Sequence, residues 1–81
     1  MSTTVASNLM PGLSGPTAFV LATQIDAATA NANTLCQAGF SYPVATELAR
    51  QMVAGTGDVG QLMACGINPA LAAAIKVAID A

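Results

Sequence analysis

Few side chains in this 81-residue sequence can do chemistry, and their spacing keeps them apart. There are two cysteines, Cys36 and Cys65, and four acids, Asp26, Glu47, Asp58 and Asp80. Arg50 and Lys76 are the basic residues, and there is no histidine. Nucleophilic catalysis needs a base beside the nucleophile, and proton transfer needs a positioned group titrating near neutral pH. Neither set can be assembled from these residues, so no catalytic residue, small-molecule substrate or enzymatic activity is expected. Two thiols fall short of the four ligands of a structural zinc site, so neither metal nor cofactor is expected. Cys36 and Cys65 read instead as small, reduced, buried hydrophobes. Glu47 and Arg50, three apart, read as a solvent-side ion pair worth about 0.2–0.5 kcal/mol. The remaining acids read as helix caps or surface groups.

The balance of charge excludes two classes of partner. A net charge of −2 with two basic residues leaves nothing to displace counterions from a phosphate backbone, which argues against nucleic acid. It equally gives no attraction to an anionic membrane surface. No stretch reaches the roughly 18 apolar residues that a membrane-spanning helix needs. Residues 1–8 lack the basic and apolar blocks of a secretory signal, so an intracellular origin is expected.

The elements that hold these residues follow from a repeat. Offset by 27, the chain aligns Gly12-Leu13-Ser14, Gly39-Phe40-Ser41 and Gly66-Ile67-Asn68. Ala18, Ala45 and Ala72 then fall in register, as do Leu21, Leu48 and Ile75, and Ile25, Met52 and Ile79. Gln24, Ala27, Thr29 and Asn31 stand against Gln51, Ala54, Thr56 and Asp58. A fixed period of this kind marks stacked supersecondary units, which serve mostly in binding and assembly. Ser14, Ser41 and Asn68 are suited to cap helices, and Pro16, Pro43 and Pro69 fall in the first turn, where proline costs no hydrogen bond.

Behind the middle cap, Val44, Ala45, Leu48, Ala49, Met52 and Val53 form a stripe at helical period. The same slots hold Thr17, Ala18, Leu21, Ala22 and Ile25 in the first unit, and Leu71, Ala72, Ile75 and Ile79 in the third. Long helices are therefore predicted near residues 14–27, 41–54 and 68–80. Asp58, with Gln61 as capping-box partner, opens a short helix ending at Gly66. Asn31, Leu35, Cys36 and Gly39 repeat that pattern. The expected fold is all-α: three 27-residue repeats giving three longer and two short helices, in one domain over residues 12–81. Residues 1–11, ending in the turn signal Pro11-Gly12, read as an extended N-terminal arm.

Three resemblances attach to these motifs. Leu62 through Gly66-Ile67-Asn68-Pro69 to Ala72 and Ile75 resembles a helix-hairpin-helix motif, as does Gly12-Leu13-Ser14-Gly15-Pro16 with Ala18 and Leu21. That family offers hairpin N–H groups to DNA phosphate. Here the second glycine of the third unit is replaced by Asn68-Pro69 and flanking basic residues are absent, so the resemblance implies hairpin geometry alone. Leu35 to Phe40 with Ala45 and Leu48 is similar to the Gly-Phe loop of ubiquitin-associated domains, which implies an apolar docking patch at Phe40 and Tyr42. The competing reading makes Phe40 a hydrophobic staple for the next helix. Over residues 12–81, and best over Gly39 to Asp58, the chain resembles small Ala-rich repeats of tailed-phage structural proteins. That resemblance implies a virion component made in the host cytoplasm.

The outward helix slots connect these readings to function. Thr46, Glu47 and Arg50 make a solvated face in the middle unit. The equivalent slots hold Phe19, Val20 and Thr23 in the first unit, and Ala73, Ala74 and Val77 in the third. Free-standing repeat proteins place polar caps at their ends, whereas apolar ends mark an interaction surface. Charged residues make up 7% of the chain, against roughly 25% in ordinary soluble domains, which suits a chain held in an assembly. The expected function is a virion structural protein, a capsid cement or decoration component packing on other virion proteins or on copies of itself. Leu13, Phe19, Val20, Phe40, Tyr42 and Val77 are its expected contacts. The alternative is a small interaction module docking one partner through Gly39-Phe40.

Overall fold

Apolar side chains at helical spacing leave a backbone no better course than helix, and the computed structural model, which describes Leu13 and residues 15–80, has five. They are α1 (Gly15–Asp26), α2 (Ala32–Ala38), α3 (Tyr42–Ala54), α4 (Val59–Ala64) and α5 (Pro69–Asp80). The chain is all-α, and no strand occurs among the described residues. The expected arm over residues 1–11 and the expected cap Ser14 lie outside the described residues.

The caps explain where most of these helices start. The Asn31, Asp58 and Asn68 side chains accept the backbone N–H of Thr34, Gln61 and Leu71 at 3.1, 3.1 and 2.8 Å. Each satisfies a donor that the first turn would otherwise orphan. Ser41 stands at the N-cap of α3 without a side-chain cap bond, and Pro43 in the first turn does the pre-ordering there. The short helices end alike: Phe40 N–H donates to Leu35 C=O, and Ile67 N–H to Leu62 C=O.

Each helix sends one aliphatic side chain to the centre. Leu21, Leu35, Leu48, Leu62 and Ile75 are completely buried. Alanines fill the space between them: Ala18, Ala22, Ala45, Ala72 and Ala78. So many small side chains let the helix backbones approach closely. Each short helix packs on the long helices before and after it, and α1 packs directly on α5. The first and last helices thus meet, and the described chain fits within 27 × 23 × 23 Å.

One part of the expected stripe is corrected. Val53 is 79% exposed, and Gln51 is buried in its place. At about 100° per residue, Val53 lies about 140° around α3 from Leu48, whereas Gln51 lies about 60° away on the other side. The inward direction passes through Gln51.

Candidate functional site

The C-terminal ends of α1, α3 and α5 converge on an open cleft of about 170 Å³, lined by Gln24, Ile25, Ala28, Met52, Gly55 and Ile79. Ile25, Met52 and Ile79 are 27 residues apart, so three equivalent helix positions supply its apolar lining. Ala28 and Gly55 are likewise 27 apart, and both take positive φ, 54° and 73°. Each turns the chain out of a long helix: Thr29 N–H returns to Gln24 C=O, and Thr56 N–H to Gln51 C=O. Glycine suits this left-handed conformation, whereas Ala28 holds it at a cost of order 1–2 kcal/mol.

Two buried glutamines hold the walls. Gln24 accepts the Asn31 N–H (3.0 Å) and donates to the Asn31 carbonyl (3.2 Å). Gln51 treats Asp58 the same way, at 2.9 and 3.2 Å. Each amide therefore clamps both backbone groups of the residue that caps the next short helix. The sequence shows these glutamines in register but does not announce the role. Its trace is the fixed seven-residue spacing from each glutamine to the capping Asn or Asp. The expected Asp58–Gln61 capping box is correspondingly corrected. Asp58 does accept the Gln61 N–H, but its own N–H is taken by Gln51 instead of Gln61.

A second tie closes the side of α5. The buried Gly57 donates its N–H to Asp80 (2.8 Å), and Lys76 Nζ donates to the Gly57 carbonyl (3.3 Å) and to Asp80 (2.6 Å). The backbone bond from Gly57, then the Lys76 ammonium, hold the Asp80 carboxyl below the ordinary aspartate range. A depressed carboxylate contributes stability that is present above its unfolded pKa of about 3.9 and disappears as pH falls through the lower folded value. The Asp80→Asn variant should therefore show a slightly shallower loss of urea resistance between pH 5 and pH 2.5 than the wild type. Identical acid profiles would remove Asp80 from the tie.

The other charged cluster lies on α3. Arg50 grips Glu47 through Nε (3.0 and 3.1 Å) and Nη2, and Gln51 donates to the same carboxylate at 2.9 Å. The guanidinium hydrogen bond lowers the Glu47 pKa. Cys36 and Cys65 are half-buried free thiols. Cys65 donates to the Leu62 carbonyl, and burial raises its pKa, which suits a filler better than a nucleophile.

The residues expected to make contacts divide into two groups. Phe19, Tyr42 and Val77 are 58%, 67% and 56% exposed. Leu13, Val20 and Phe40 are half-buried and lean on the core. Val20 thus faces the interior more than its slot implied. Among the described residues no three His, Cys, Asp or Glu side chains gather as a metal site, and no helix is long and apolar enough to cross a membrane. Compared with protein-family models, curated proteins and solved structures, the chain matches none.

Proposed function

We propose that this chain is a non-enzymatic structural protein that packs its helix faces on neighbouring copies, as a small cement or decoration component of a tailed-phage capsid. Its long helices begin at residues 15, 42 and 69, a spacing that supports reading the chain as a short repeat array. The observation that carries the reading is the exposure of Phe19 and Val77: α1 touches α5, yet both side chains stay in solvent. Contact between the terminal helices would have been their simplest means of burial. Large apolar groups left outside a core this small serve best at a protein–protein contact. The phage setting rests on the resemblance carried by Gly39 to Asp58. A docking module working through Gly39-Phe40 is less favoured, because Phe40 spends its ring on the core.

Light scattering tests the reading. The purified chain should gain mass with concentration above its 8.0 kDa monomer. Replacing Phe19 with serine and Val77 with threonine should return it to the monomer while leaving its helical circular dichroism unchanged. A wild-type monomer at all concentrations, or association insensitive to both substitutions, would overturn it.

A further inference from the structure

We infer that residues 4–12 of this chain, outside the described residues, dock on the flank of α5 formed by Leu71 and Ala78. The described contacts show what that flank is for. On α1, Thr17 and Gln24 lie about 40–60° to one side of the central Leu21. Thr17 Oγ1 donates to the Ala38 carbonyl (2.6 Å), and Gln24 clamps Asn31. On α3, Gln51 lies on the same side of Leu48 and clamps Asp58. This flank of a long helix therefore receives the short helix that follows it. The opposite flank meets the chain that comes before: on α5, Lys76 and Asp80 take the backbone of Gly57.

On α5 the receiving flank holds Leu71 and Ala78, at the same angles from the central Ile75. They are 6% and 4% exposed, as deep as Val44 and Gln51 on α3. On α1 and α3 that depth is reached with a short helix against the flank, yet among the described residues no short helix follows α5. Ala78 also stands 27 residues beyond Gln51, so the clamping amide is replaced by a methyl group. What covers this flank is held by apolar contact.

Connectivity, length and chemistry select residues 4–12. Both short helices pack on the long helix they lead into as well as on the one before. The segment leading into α1 is residues 4–12, and α1 packs on α5, so this segment enters at the α5–α1 junction. It spans nine residues, as do Asn31–Gly39 and Asp58–Gly66, and it carries no charge. Offset by 27, Thr4 stands with the caps Asn31 and Asp58, Val5 with Ala32 and Val59, and Gly12 with Gly39 and Gly66. The register departs at one place: Asn8 holds the slot of Leu35 and Leu62, and Leu9 follows it. A shift of one residue seats Leu9 as the anchor. The segment is then a third short unit closing the array, in place of an extended arm. This does not depend on the Phe19 and Val77 faces.

The test is NMR on the full chain, labelled at leucine, valine and alanine methyls. Nuclear Overhauser cross-peaks are expected from the Val5 and Leu9 methyls to those of Leu71 and Ala78. In an equal mixture of labelled and unlabelled chains, isotope filtering should remove them, because the contact is within one molecule. Leu9→Asp should also speed amide exchange over Ile75–Ile79 about tenfold while leaving Gln61–Ala64 unchanged. If that variant loses its helical circular dichroism, Leu9→Ser takes its place, and the cross-peaks decide in either case. No cross-peak from residues 4–12 to α5, or unchanged exchange in α5, would overturn the inference. Cross-peaks that survive the filter would give the flank to a second copy and overturn docking within the chain.

Discussion

Replacing Gly57 with alanine is expected to destabilise the chain by about 3 kcal/mol, from a single added methyl group. A Cβ at position 57 would sit 2.6 Å from the Cα of Lys76 and 2.9 Å from its Cβ. The obstacle is α5 backbone, which cannot swing aside as a side-chain tip would. Relief requires the Thr56-Gly57-Asp58 turn to lift away from α5. That movement stretches the Gly57–Asp80 and Lys76–Gly57 hydrogen bonds together. It also drags on Asp58, whose backbone is held by Gln51 and whose side chain caps α4. A domain of this length has a total stability of roughly 4–12 kcal/mol, so a loss of this size should lower the melting temperature by more than about 10 °C. Gly60→Ala is the natural control. A Cβ there meets only Asp58 Oδ1 at 3.4 Å, and alanine favours a helix over glycine, so that variant should equal or exceed the wild type. If Gly57→Ala unfolds within about 0.5 kcal/mol of the wild type, the close approach of turn and helix is not what holds the end of α5.

The two glycines separate what the sequence discloses from what it does not. The positions of the helices were legible because local rules set them. Asn31, Asp58 and Asn68 cap where their side chains can reach an orphan N–H, and apolar residues recur at the helical period behind them. The core was legible for the same reason, since Leu21, Leu48 and Ile75 share one slot, and Leu35 and Leu62 another. Contacts across many residues were not. Nothing local marks Gly57 as the place where a turn meets a helix 19 residues later, and nothing in Lys76 or Asp80 says that they answer a backbone amide in that turn. The cleft lay between these cases: Ile25, Met52 and Ile79 were visible as one register class, but only the convergence of three helix ends makes that class a site. Val53 misleads because its spacing continues the stripe while the helix carries it about 140° from Leu48, onto the exposed face.

Gln51 shows how a residue's register with Gln24 can be visible in the sequence while its physical role stays hidden. Replacing it with leucine, similar in size and fully apolar, is expected to cost about 3 kcal/mol. The side chain is completely buried and uses both ends. Its oxygen accepts the Asp58 N–H at 2.9 Å, and its nitrogen donates to the Asp58 carbonyl at 3.2 Å and to Glu47 at 2.9 Å. Leucine would leave the Asp58 N–H unpaired at the start of α4, at about 1–3 kcal/mol if it stays buried, while the Asp58 carbonyl would lose one of two donors and keep the Leu62 N–H. Gln24→Leu should cost less, about 2 kcal/mol, because that amide is slightly more exposed and clamps Asn31 without a third partner such as Glu47. Chemical denaturation of both variants gives the order directly. Gln51→Glu supplies the sharper discrimination, since it keeps the shape but turns the donor into an acceptor facing the Asp58 carbonyl and the Glu47 carboxylate. At neutral pH it should be at least as damaging as leucine. It should recover part of the loss as the pH falls and the new carboxyl regains a proton to donate. If glutamate were tolerated at pH 7, shape alone would hold α3 to α4, and the paired amide clamps at Gln24 and Gln51 would be incidental to the packing of the helices.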